Sequence, residues 1–184
     1  FYLGNNKSGY VGASYDISHY LNYGKENTLV VRVDATQYEG WFYEGAGIYR
    51  HVWFNQYNTV HLDENPVFVY SDVQKNIATV YVETTLQNES YNVANVSVAA
   101  IITNRDGLKI GETISKPVSL AINGKTTVKQ SVKITNPRLW SLEDPYLYRV
   151  VPMIQSAGKI IDTDKIRFGI RTVNITNKGV FLNG

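Results

Sequence analysis

Apolar and polar residues alternate with a period of two along most of this chain. Leu29, Val31 and Val33 fall on one side, and Val30, Arg32 and Asp34 on the other. Thr126, Val128, Gln130, Val132 and Ile134 alternate against Thr127, Lys129, Ser131 and Lys133, the pattern of a strand with one wet face. Val96, Val98, Ala100 and Ile102 line one side of another strand. This period puts successive side chains on opposite faces of a sheet, so it predicts strands and no long helix. One short helical turn is expected at Ile17 to Tyr20, ahead of Asn22-Tyr23-Gly24. From Pro66 to Phe168 the pattern predicts seven strands, at 67–71, 77–87, 94–103, 108–114, 126–134, 146–155 and 160–168. Asn104-Arg105-Asp106-Gly107 and Asn123-Gly124 read as hairpin loops. Ala157-Gly158 separates the last long pair, and Asn136-Pro137 and Asp144-Pro145 bracket an irregular segment that holds Trp140.

Seven short strands in about 100 residues is the count of an immunoglobulin-like or fibronectin-like sandwich. Residues 1–62 have a different texture, rich in Gly, Asn and Tyr, with a long aromatic loop from Gln37 to Tyr43. They are expected to belong to a separate β-module. The polar, proline-bearing join at Asp63-Glu64-Asn65-Pro66 is expected to act as a linker. A further boundary falls near Arg171, and residues 171–184 are too short to fold alone. The fold class is therefore all-β, with the sandwich over 66–170.

Composition removes several alternatives. The chain is 43% hydrophobic and 18% charged, as suits a folded core. It has no cysteine, so disulfides and thiolate metal sites are excluded. Its net charge of +2 is spread along the chain, with no basic run to follow a phosphate backbone, which argues against nucleic acid as a partner. No stretch approaches the roughly 18–20 continuous apolar residues of a membrane span. The chain opens on Phe1-Tyr2-Leu3-Gly4 and closes on an apolar run and the turn pair Asn183-Gly184. Both ends are expected to be cuts in a longer polypeptide, because a strand that reaches a turn calls for a return strand. The 14 tyrosines and 3 tryptophans suit β-structure and also suit the apolar faces of sugars.

The most distinctive segment runs from Gly40 to Trp53. Gly45 and Gly47 are expected to allow a tight bend. Arg50 falls among apolar neighbours and calls for an acidic or carbonyl partner, with Asp34 a candidate. The plain reading of these three residues is a structural corner. The aromatic loop ahead of them offers Trp41 and Tyr43 to stack on sugar faces, and Glu39 and Glu44 to accept hydrogen bonds from hydroxyls. Packing against another domain explains the same residues equally well. Glu39/Glu44 and Glu143/Asp144 are the nearest carboxylate clusters, and neither shows the shaped, partly dry surroundings that a general acid needs. His19, His51 and His61 have no zinc spacing, no Ser/His/Asp set is suggested, and no phosphate-cradling glycine loop precedes a helix.

Gly45-Ala46-Gly47-Ile48-Tyr49-Arg50-His51-Val52-Trp53, preceded by Leu29 to Asp34, resembles the end of the sugar-binding module of glycoside hydrolase family 2, the family of β-galactosidases, β-glucuronidases and β-mannosidases. Tyr15-Asp16-Ile17-Ser18 and Lys25-Glu26-Asn27-Thr28-Leu29 resemble that module's earlier pattern. Asn136-Pro137-Arg138-Leu139-Trp140-Ser141, followed by Asp144-Pro145-Tyr146-Leu147-Tyr148, is similar to the late segment of the family's immunoglobulin-like module. Phe168-Gly169-Ile170-Arg171-Thr172-Val173 and Gly179 to Gly184 resemble the family's crossing into its catalytic barrel.

The resemblance implies that residues 1–62 are the C-terminal part of a jelly-roll sugar-binding module, and that 171–184 begin a (β/α)8 barrel. It implies a retaining glycosidase parent, most like a β-galactosidase, acting on a carbohydrate substrate. The family's two catalytic glutamates lie on the barrel, and no glutamate here matches them, so the segment is expected to be non-catalytic. Glu39, Trp41, Tyr43 and Glu44 are then the expected substrate rim, and Gly45, Gly47, Arg50 and Trp140 the structural motif. No cofactor or metal is implied for this segment. The missing barrel domain is the expected partner, with room for a homo-oligomer, and the resemblance points to a bacterial periplasm. A freestanding carbohydrate-binding module and an adhesion-type β-sandwich protein remain the alternatives.

Overall fold

The computed structural model describes residues 1–34 and 47–184, and divides into two compact units, Phe1–Phe54 and Asn55–Gly184. Among its described residues the first unit holds one regular element, a 3-10 turn at Ser18–Tyr20, where the short turn was expected. Asp16 starts that turn by accepting a hydrogen bond from the Ser18 amide at 2.9 Å. Hydrogen bonding from the Ser18 side chain, and next from its amide, holds the Asp16 carboxyl below the usual carboxylate range. The alternation at Leu29–Asp34 pairs with no strand among the described residues, and Leu29, Val30, Val31 and Val33 are exposed. A strand exists through its neighbours, so the pattern alone builds no ladder.

The second unit is a sandwich of antiparallel strands: β1 Val60–Gln74, β2 Ile77–Asn88, β3 Ala94–Thr103, β4 Lys109–Ile114, β5 Val118–Leu120, β6 Lys125–Thr135, β7 Tyr148–Ser156, β8 Lys159–Thr163 and β9 Ile166–Phe168. A separate hairpin follows, β10 Val173–Thr176 and β11 Gly179–Leu182. One sheet has the order β1-β2-β6. The other has β4-β3-β7-β8, with β9 also paired to β7 and β5 to β3.

The core lies between the sheets because each strand turns alternate residues inward. Strand β2 buries Ala78, Val80, Val82, Thr84, Leu86 and Asn88 in unbroken alternation. They face the expected apolar side of β3, where Val96, Val98, Ala100 and Ile102 are all buried. Val128, Val132 and Ile134 of β6 are buried as expected, with Lys129 and Lys133 outside.

Three details differ from the sequence pattern. The polar Asp63-Glu64-Asn65-Pro66 lies within β1, where the register against β2 shifts between Leu62 and Val67. It forms a bulge in the first strand of the sandwich, and the compact unit itself begins at Asn55. Asn123-Gly124 is a turn, with Asn123 at φ +50°, but the strands on either side belong to opposite sheets. The segment is a crossover and not a hairpin.

The expected strand 160–168 is broken into β8 and β9. The break lies opposite Pro152 of β7, whose carbonyl accepts from the Asp164 amide at 3.3 Å. The proline nitrogen faces that same neighbour and has no hydrogen to give, so the ladder is interrupted there. By contrast, the loops at 104–107 and 157–158 are the expected hairpin turns. Ala157 and Gly158 both have positive φ, at +49° and +76°, as a two-residue hairpin with right-handed strand twist requires.

The end of β2 is pinned by a polar side chain. Asn88 is fully buried, and its Nδ2 donates to the carbonyls of Asn92, Leu120 and Ala121 at 2.9, 3.2 and 3.0 Å. Its Oδ1 accepts from the Ser90 amide and hydroxyl. Asn88 thus ties the β2–β3 loop to the crossover after β5. Asn88→Ala is expected to lower unfolding free energy by about 2–4 kcal/mol, since it strands buried carbonyls. Leu86→Ala is expected to cost about 2–5 kcal/mol through cavity formation. Chemical denaturation followed by far-UV circular dichroism checks both.

Candidate functional site

Glu39, Trp41, Tyr43, Glu44 and Gly45 lie outside the described residues. Gly47 is exposed, and among the described residues a Cβ there would meet nothing within 4 Å. Arg50 is also exposed, with its guanidinium 6.0 Å from the Tyr49 ring. Asp34 pairs with Arg32 at 2.9 Å. The Tyr49 hydroxyl donates to the Gly9 carbonyl, and His51 makes a tilted contact with Trp53 at 5.3 Å.

The other expected motif, around Trp140, is a dense node. The segment 137–147 is irregular, so its backbone groups must find partners outside a ladder. The Trp140 amide donates to the Ile170 carbonyl at 2.8 Å, and the Arg171 guanidinium lies 5.0 Å from the Trp140 ring centre. A Cβ at Gly169 would stand 2.8 Å from the Trp140 Cβ, so only glycine lets these two segments come so close.

Arg138 grips Asp144 with two nitrogens, Nε at 2.6 Å and Nη2 at 2.9 Å, and lies 4.5 Å from the Tyr146 ring centre. Those hydrogen bonds hold the Asp144 carboxyl below the usual carboxylate range. The Arg138 amide donates to the buried Tyr148 hydroxyl at 2.8 Å, and burial pushes that phenol above its ordinary value.

Sequence reasoning passed over Asn183 as a chemical group, although it marked Asn183-Gly184 as a turn. Asn183 joins the Trp140 node: its Nδ2 donates to the Trp140 carbonyl at 3.0 Å, and its Oδ1 accepts from the Thr172 amide at 3.0 Å.

Several carboxylates of the sandwich are taken up by structure. Glu83 pairs with Lys129, Asp63 with Lys125 and Glu112 with Lys109. Asp162 accepts from the Leu62 and Thr163 amides. Among the described residues no three His, Asp or Glu side chains gather as a metal site, and no helix is long and apolar enough to cross a membrane. An open cleft by Tyr57, Asn58, Thr59, Val60, Ser156 and Ile161 carries no carboxylate in its lining. Tyr57 stacks on His61 there at 4.7 Å. Desolvation, and secondarily the charges of Glu64 and Asp162, raises the Tyr57 phenol.

In this β-sandwich, charged groups staple loops. The model of glycosyl hydrolases family 2 matches residues 60–171, and the chain belongs to that family. It is 36% identical to Beta-galactosidase BoGH2A of Bacteroides ovatus over 99% of this chain and 22% of that protein. It is 28% identical to a Beta-glucuronidase of Formosa agariphila over 100% of this chain and 21% of that protein. The crystal structure of a glycosyl hydrolase family 2 member from Bacteroides cellulosilyticus superposes with a TM-score of 0.92 at 31% identity, covering 99% of this chain and 25% of that one. The chain thus spans about a fifth to a quarter of the length of these relatives.

The Arg138–Asp144 pair predicts a pH response. Asp144 has a lowered folded value, so its contribution to stability is complete above the unfolded carboxyl value of about 3.9. That contribution is lost as pH falls through the lower folded value. Arg138→Ala is expected to move the Asp144 titration up towards about 3.9, read by carboxyl carbon NMR.

Proposed function

We propose that this chain is the supporting, non-catalytic part of a longer retaining glycoside hydrolase that cleaves O-glycosidic bonds of carbohydrates, most like a β-galactosidase. The carrying observation is the 36% identity to Beta-galactosidase BoGH2A, which runs over 99% of this chain and 22% of that protein. Retaining hydrolysis needs two carboxyl groups about 5–5.5 Å apart. Asp63, Glu83, Asp144 and Asp162 of the sandwich are instead engaged by Lys, Arg and a backbone amide, which supports a reaction centre elsewhere in the longer protein.

In this reading residues 1–62 contribute the back of a jelly-roll sugar-binding module. Residues 66–170 form the main body of the sandwich, with β1 reaching back to Val60. Residues 171–184 lead into a catalytic barrel, and Glu39, Trp41, Tyr43 and Glu44 lend a rim to its pocket. A galactoside is preferred over a glucuronide because the galactosidase relative is more similar, at 36% against 28% identity.

Assays on nitrophenyl glycosides test the proposal. The 184-residue chain is expected to be silent, and the full-length gene product is expected to hydrolyse nitrophenyl β-galactoside. In the full-length protein Trp41→Ala is expected to lower kcat/KM by about 2- to 10-fold, the worth of one aromatic contact. Turnover by the 184-residue chain would overturn the division of labour. Tight glycan binding by the chain alone, lost with Trp41→Ala in calorimetry, would favour a freestanding binding module.

A further inference from the structure

The hairpin β10–β11 presents a physical puzzle. A two-stranded ribbon is marginal in water by itself, and this one leaves Val173, Ile175 and Val180 exposed at 53%, 81% and 71%. Its strands bury little, so something other than a core must hold it in place. The base of the hairpin supplies the answer. Thr172 and Asn183 exchange two hydrogen bonds, the Asn183 amide to the Thr172 carbonyl at 2.9 Å and the Thr172 amide to Asn183 Oδ1 at 3.0 Å. The other end of the same carboxamide, Nδ2, donates to the Trp140 carbonyl at 3.0 Å. The Trp140 amide in turn donates to the Ile170 carbonyl, and Ile170 is fully buried in the sandwich core.

One side chain therefore connects three segments: the irregular stretch that carries Trp140, the strand end at Thr172, and the return strand of the hairpin. The residue type is demanding. The position needs an acceptor and a donor on one short planar group, and it needs positive φ, which is +56° at Asn183. Asparagine meets both demands, because it tolerates the left-handed region better than other non-glycine residues.

We infer that Asn183 is a positioning residue that clamps the β10–β11 hairpin to Trp140, making a rigid joint that sets the direction in which the polypeptide leaves the sandwich. The sandwich and the hairpin then behave as one lever through residue 183, and whatever follows is carried at a fixed angle to β7 and β9.

Asn183→Gly isolates the effect, since glycine accepts the same φ at no steric cost and removes only the carboxamide. Amide hydrogen exchange of the 184-residue chain is expected to speed up about tenfold over 173–182 in the variant, in line with the loss of part-buried hydrogen bonds. Strands β2, β3 and β7 are expected to keep their protection. Asn183→Asp retains the acceptor for Thr172 but turns a second acceptor towards the Trp140 carbonyl. It is expected to lose hairpin protection at least as strongly as Asn183→Gly.

Because the chain has no cysteine, Lys133→Cys with Lys178→Cys allows a clean spin-label distance measurement between β6 and the hairpin tip. A narrow distribution is expected in the parent and a broad one with Asn183→Gly. Unchanged exchange and an unchanged distribution in Asn183→Gly, or hairpin protection in Asn183→Asp equal to the parent, would overturn the inference. So would an equal loss of protection in β2, β3 and β7, which would make Asn183 a global stability residue and not a local clamp.

Discussion

Everything in the second unit depends on one strand having no wet face turned inward for six alternations. From Ala78 to Asn88, β2 places each second side chain in the gap between the sheets, where it meets β3 and β7 from the far side. With no cysteine to staple the chain, burial across this gap is the main source of cohesion. Register follows from the same constraint, because a slip of one residue against β6 would send the whole buried set of β2 into solvent. The sandwich is thus specified strongly in its middle and more loosely at its edges, where β1 tolerates a bulge and the last strand a gap.

Polar chemistry governs the places that burial does not. Asn88 pins the crossover at one end, and Arg138, Asp144, Trp140 and Asn183 order the irregular stretch near the other. In each case a side chain supplies the hydrogen bonds that a missing ladder would have supplied. Asp63, Glu83, Asp144 and Asp162 act as fasteners, in keeping with the general separation of scaffold from reacting groups: a fold hosts a site, and the site carries the function. Membership of the glycosyl hydrolases family 2 rests on residues 60–171 and on identity along the chain, not on a reactive constellation within it.

The sandwich was largely legible because period-two patterning reports burial directly. Val96 to Ile102 and Val128 to Ile134 were placed on the correct faces from alternation alone. Proline was the weak point in both directions. Pro66 suggested a linker and instead sits at a bulge within β1, where sheets accept it. Pro152 falls inside a strand by period-two patterning, yet its missing N–H breaks the neighbouring strand. Asn123-Gly124 shows that turn chemistry gives a local bend without saying which sheet receives the next strand. Leu29–Asp34 has an equally clear alternation but no ladder, since pairing depends on partners that a local pattern does not contain. Asn183 was read as a turn residue, because sequence spacing gives no hint that Trp140, more than 40 positions earlier, waits beside it.

The gap between β8 and β9 has an effect on the outer rim of the larger sheet. An uninterrupted border strand presents a regular row of unsatisfied amides and carbonyls to any passing polypeptide, the arrangement on which fibrils and swapped dimers grow. Here the row is cut into lengths of five and three residues, with charged Asp164 and Lys165 at the cut. A stranger's backbone would find too few consecutive partners to settle on. The same proline that costs this chain part of a strand therefore guards it against unwanted lateral growth.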